Sequence, residues 1–153
     1  MKTTAWLAAG LLTLGAVVGF GLKGVPAQGQ QPLPTIVVYK SSACGCCQNW
    51  VEHMRAAGFE TNVQNVENIG EVKGTYGVSE KLAACHTALA GGYVIEGHVP
   101  ADTIKRLLRE RPPGAGVAAP GMPKSAPGMD MPGEPYRVML FSVLGISSVY
   151  EQR

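Results

Sequence analysis

Three of the chain's four cysteines fall within four positions, Cys44, Cys46 and Cys47 in the stretch ACGCCQNW, and the fourth, Cys85, is followed at once by His86. Sulfurs spaced this closely suit a disulfide, a thiol redox catalyst or a metal site. Structural disulfides are the weakest of these readings. Cys46 and Cys47 are neighbours, and a bond between neighbours is strained. Two staples drawn from this set would also close tiny loops, which remove little entropy from the unfolded chain.

A redox reading takes Cys44 and Cys47 as a C-x-x-C pair. Cys46 counts against it, because a thiol beside the resolving cysteine invites scrambled pairing. Ser79 also follows Val78 where a thioredoxin would place a proline opposite the motif. A metal reading uses every sulfur. Three thiolates from one tight turn and Cys85 from a distant loop can enclose a soft cation, and His86 adds a nitrogen. Zinc would need a closed tetrahedron, which Cys44, Cys46 or Cys47, Cys85 and His86 could just supply. The usual pair of C-x-x-C knuckles is missing, however, and Cu(I) accepts low coordination and bridging thiolates. Copper is therefore preferred over zinc.

Other soft or basic side chains are weighed against ordinary packing. Met122, Met129 and Met131 lie among prolines and glycines without apolar periodicity, so Met129 and Met131 are candidate thioether ligands against a bland exposed role. Met54 and Met139 sit in periodic elements and are expected in the core. His53 is seven residues after Cys46, about 10 Å along a helix axis, which favours a surface or packing role. His98 either caps a following helix or approaches the site. Trp50 lies one turn beyond Cys46 and is expected to shield the site or fill the core.

The elements that must position these groups follow from periodicity. Residues 35–39, TIVVY, read as a buried strand, and the pattern from Cys46 through Trp50, Val51, Met54 and Ala57 reads as a helix stopped by Gly58. A helix start at Cys46 and Cys47 presents unpaired amides that favour thiolates. A second strand is expected over 60–66 and a short helix over 68–76. Gly91-Gly92 signals a hairpin between 87–90 and 93–96, and Pro100 opens a helix from Ala101 to about Arg109. The order β-α-β-α-β-β-α is the thioredoxin-like arrangement, an α/β fold with a mixed sheet. Residues 112–135, rich in Pro, Gly and Ala, are expected to form an extended arm that cannot bury a core. Tyr136–Val143 is expected to be a final strand, with a short tail that adds a little sheet.

The chain has 153 residues, enough for one domain with a core, here expected over 35–143. Residues 1–27 contain Lys2, an apolar run and Val25-Pro26-Ala27, the pattern of an export signal. The rival is an uncleaved anchor over 5–22, about long enough to cross a bilayer. Either way the remainder is expected in the periplasm or otherwise outside the cytoplasm. No cysteine sits at the junction, which argues against a lipoprotein. Beyond Ala27 there are 11 basic and 11 acidic residues. Without a basic excess, counterion release gives no basis for a nucleic-acid partner.

Several segments in order carry a more specific signal: CGCC with a following Trp, His and Met, then ACHTA, then GGYVIEGHVPA, and PGMP before SAPGM. Together, over about residues 35–142, they resemble the CopG-type family of exported, copper-resistance-associated metal-binding proteins, long catalogued as a domain of unknown function. The resemblance implies a thioredoxin-like fold, copper at Cys44, Cys46, Cys47 and Cys85, and a role in copper tolerance, with copper ions and other periplasmic copper-handling proteins as partners. A binding protein is the leading expectation and a thiol or copper oxidoreductase the alternative.

Overall fold

The computed structural model describes residues 32–153, so the signal or anchor expected over 1–27 lies outside the described residues. The elements are β1 (Ile36–Lys40), α1 (Gly45–Ala56), β2 (Thr61–Asn65), α2 (Ile69–Thr75), a 3-10 turn (Glu80–Leu82), β3 (Thr87–Ala90), β4 (Tyr93–Glu96), α3 (Ala101–Glu110), β5 (Gly116–Ala118), β6 (Arg137–Phe141) and β7 (Ser147–Gln152). One mixed sheet of seven strands runs β2-β1-β3-β4-β5-β6-β7. The β-α-β-α-β-β-α order expected from the sequence is present from β1 to α3.

The strands that the pattern marked as apolar are the central ones. Ile36 and Val38 of β1, Ala88 of β3 and Ile95 of β4 are fully buried, with Trp50, Val51 and Met54 of α1 and Ile104 and Leu107 of α3 packed against them. Helix ends have local causes. Ala57 caps α1 and Gly58 follows at φ +92°, a left-handed turn that favours glycine. Asn68 starts α2 by accepting the Gly70 amide at 3.1 Å. Among the described residues no helix is long and apolar enough to cross a membrane.

The arm departs from expectation. Its first part is β5, a buried strand between β4 and β6 in which Val117 and Ala118 are fully covered, as is Ala119 just beyond. Small residues are required here. A Cβ on Gly116 would run into the backbone of Val94, so a composition that reads as a linker is the one that lets this strand approach its neighbour. The tail is likewise a full strand. Glu151 of β7 accepts from Thr103 Oγ1 at 2.8 Å and from the Arg106 guanidinium at 3.1 Å, clamping it to α3.

Candidate metal centre

Two strand ends deliver the sulfurs. Cys44 follows β1 and is the N-cap of α1, placing Cys46 and Cys47 in its first turn, while Cys85 lies two residues before β3. Because β1 and β3 are paired, the two segments meet, and all four Sγ atoms lie within 4.8 Å of one another. Cys44 and Cys47 are joined as a disulfide. Cys46 and Cys85 are free thiols, with Cys46 Sγ 3.6 Å from Cys44 Sγ and 3.9 Å from Cys85 Sγ. With that bond the set is oxidised by two electrons relative to four thiols. Four sulfur ligands become available only when that bond is reduced.

The Cys85 loop is held by a buried carboxylate. Glu96, fully enclosed at the end of β4, accepts from Lys73 Nζ, from Thr87 Oγ1 at 2.6 Å and from the Ala84 amide at 2.6 Å. Three donors balance the cost of burying its charge. Burial pushes the Cys85 thiol up to about 11, and the neighbouring Cys46 adds to this against the opposing pull of Lys73. Near neutral pH Cys85 is thus a thiol that must surrender a proton to ligate a metal.

His86 is not brought into the sulfur set. It is fully buried, its ring centroid 4.4 Å from Trp50 and 5.0 Å from His98, and neither ring nitrogen has a hydrogen-bond partner. Desolvation, reinforced by His98, holds it well below the usual histidine range, so it is neutral. Residues leading into a strand point to alternate sides. Cys85 meets the other sulfurs while His86 faces the core. Trp50 is likewise core, fully buried with its indole N–H donating to Val99 O at 2.9 Å.

His98 neither caps α3 nor reaches the sulfurs. It is buried against His86, with Nδ1 2.8 Å from Pro127 O. The residue that meets the start of α3 is His53, whose Nε2 accepts the Ala101 amide at 3.3 Å. The comparison of Ser79 with a thioredoxin proline also needs correction. Val78-Ser79 precedes the 3-10 turn, and the residue that meets the cysteine motif is Cys85.

The later part of the arm lies across the first turns of α1. A Cβ on Gly128 would sit 2.8 Å from Cys46 O and 2.7 Å from the Trp50 amide nitrogen, and Asn49 Nδ2 donates to Gly128 O at 3.3 Å. Only glycine lets the chain lie so close, and its φ of +85° adds to that requirement. Met129 is therefore next to the backbone contact and partly buried. Met122 and Met131 are 62% and 51% exposed. Met54 is in the core, as expected, and Met139 packs on a smaller apolar cluster.

Comparison with known proteins follows the same geometry. No curated protein matches the sequence. A family described as "Protein of unknown function, DUF411" matches residues 82–129, the span from Leu82 through the Cys85 loop to Met129. Two solved structures are similar over the described domain. "Copper resistance protein copG- Form 2" is 37% identical with a TM-score of 0.75, covering 80% of this chain and 99% of its own. "Copper resistance protein copG- Form 1" is 38% identical at the same TM-score, covering 80% of this chain and 98% of its own. Identity of this level over essentially the whole of both relatives, on a chain that gathers its four cysteines at one point, establishes that this protein belongs to the copper resistance protein CopG family.

Proposed function

We propose that the protein is an exported copper-binding protein that holds Cu(I) at Cys44, Cys46, Cys47 and Cys85, for copper tolerance by sequestration or transfer. The observation that carries this reading is the convergence of four sulfurs from two separate segments within 4.8 Å. Thiolates are soft ligands, and adjacent cysteines can bridge ions, which suits Cu(I) better than a closed zinc tetrahedron. The relatives described as copper resistance proteins support copper as the cargo. His86 joins as a ligand if its ring turns out of the core, where its nitrogens have no partner. Met129 and Met131 add thioethers if the arm closes further. Residues 1–27 supply export, or an anchor if retained.

The test is competition with a Cu(I) chelator, zinc present, on the anaerobically reduced chain. Copper is expected to be retained and zinc displaced, and Cys46→Ser is expected to lose copper. Retention of zinc with copper excluded overturns the reading.

A second reading, a thiol or copper oxidoreductase, is favoured by the Cys44–Cys47 disulfide. Two Cu(I) ions could each give one electron to that bond, yielding two Cu(II) ions and, with two protons, two thiols. Copper oxidation in step with thiol formation distinguishes this from simple binding. Robust insulin-type disulfide reduction by the metal-free chain would instead mark a thiol oxidoreductase.

A further inference from the structure

The end of the sheet opposite the cysteines carries an uncovered aliphatic tip. Val143, Leu144 and Ile146, in the turn between β6 and β7, are 77%, 82% and 69% exposed. No charged residue lies between Phe141 and Tyr150. The turn is built rather than loose. The Ser142 amide donates to Ile146 O at 2.9 Å, and the Gly145 amide to Ser142 O at 3.1 Å. A fixed presentation of bare aliphatic side chains marks a surface that is covered in use.

Strand register identifies what lies beside it. Val37, Leu89, Val94, Gly116, Phe141 and Ser147 form one row across the sheet. β1 begins at Ile36, one residue before this row, so the described chain enters the sheet at the same end as the aliphatic tip. Side-chain contacts agree: a Cβ on Gly91, in the β3–β4 turn, would lie 3.5 Å from Pro34 Cγ, and Arg111 donates to Gly91 O at 2.6 Å. The sulfurs hang from the other ends of β1 and β3.

The apolar run at residues 5–22 is by sequence about long enough to cross a bilayer. If that run is retained as an anchor, nine residues, 23–31, separate it from the described domain, a reach of at most about 30 Å. Arg109 and Arg111 are exposed where α3 ends on this side, and the intervening Glu110 accepts a hydrogen bond from Tyr150 Oη at 2.9 Å. Their charge suits phosphate headgroups.

We propose that this end of the sheet faces a lipid bilayer, with the β6–β7 tip seated at the headgroup boundary and the sulfur cluster turned away. The strands hold the cluster about 15 Å or more from that surface. The aliphatic contact fixes which face looks outward.

The test uses the full chain in phosphatidylethanolamine–phosphatidylglycerol vesicles with bromine on the acyl chains. Leu144→Trp and Lys81→Trp are each compared with the unmodified chain, which subtracts Trp6 and Trp50. The tryptophan at 144 is expected to emit at shorter wavelength and to lose about twofold or more of its intensity to bromine. The tryptophan at 81, on the exposed cysteine side, is expected to stay unquenched. Water-like, unquenched emission at 144 overturns the proposal. Equal quenching at both positions overturns the orientation. Shielding at 144 without vesicles that grows with protein concentration makes a second copy the occupant, and overturns it as well.

Discussion

Glu96 Oε1 accepts the Ala84 amide at 2.6 Å, so a carboxylate at the end of β4 fixes the residue beside Cys85. The Cys85 sulfur is positioned by this bond and not by its own chain neighbours alone. Lys73, from α2, completes the arrangement by pairing with the same oxygen at the protein's interior.

Replacing Lys73 by Met is therefore expected to leave a buried carboxylate without its cation and to destabilise the domain by about 3–5 kcal/mol. Urea unfolding measures this. The double variant with Glu96→Gln is expected to recover a large part of the loss, because the uncompensated charge is gone. A Lys73→Met variant as stable as the parent would show that the pair contributes nothing to the Cys85 loop.

Acid should destabilise the metal-free protein through His86. Its folded pKa is depressed by burial, whereas in the unfolded chain it titrates near the usual 6.5. Between that value and the depressed one, the unfolded chain binds a proton that the folded protein refuses, so stability falls as pH falls. The slope approaches about 1.4 kcal/mol per pH unit for one such group. His86→Phe is expected to flatten the profile between pH 6.5 and 5 while remaining at least as stable near pH 7.5, since two unpartnered nitrogens are removed. An unchanged acid slope, in unfolding experiments with the disulfide intact, would assign the loss to other groups.

Gly128→Ala tests whether the arm is seated on α1. The added methyl meets Cys46 O and the Trp50 amide at under 3 Å, on a residue with positive φ. A loss of about 1–3 kcal/mol is expected, with faster alkylation of Cys46 as the arm lifts. Alanine accommodated without either effect would mean that the arm is free to move.

The thioether contribution is read from Met122, Met129 and Met131 replaced together by leucine, which keeps bulk and removes sulfur. Weaker Cu(I) binding and faster air oxidation of the loaded protein are expected, with the fold unchanged by circular dichroism. Unaltered affinity and oxidation rate would leave the arm a structural return to β6.

Much of this is legible in the sequence wherever a local signal has one physical meaning. Gly91-Gly92 marks the β3–β4 turn, and the apolar spacing of Trp50, Val51 and Met54 marks the inner face of α1. The four-sulfur set was legible from residue type and spacing. β5 was not, because a three-residue strand, Gly116-Val117-Ala118, is too short to show a period, and its place is set by pairing with Val94 and Leu140 on either side. The place of His86 was not legible for a related reason. Adjacency to Cys85 in sequence suggests a shared site, but an extended backbone separates neighbours onto opposite faces, and only the position of Trp50 and His98 shows which face it takes.

The free thiols of Cys46 and Cys85 stand 3.9 Å apart and 39 positions apart in the chain. Left without cargo in an oxidising medium, that pair is the remaining place where a second covalent bond can form. Such a bond would stitch the first turn of α1 to the lead-in of β3, so that every sulfur was spent and the gap between the segments sewn shut. Cargo and oxidant then compete for the same atoms. Under the proposed function, a filled site would be protected by its contents, while an empty one would close until a reductant reopened it.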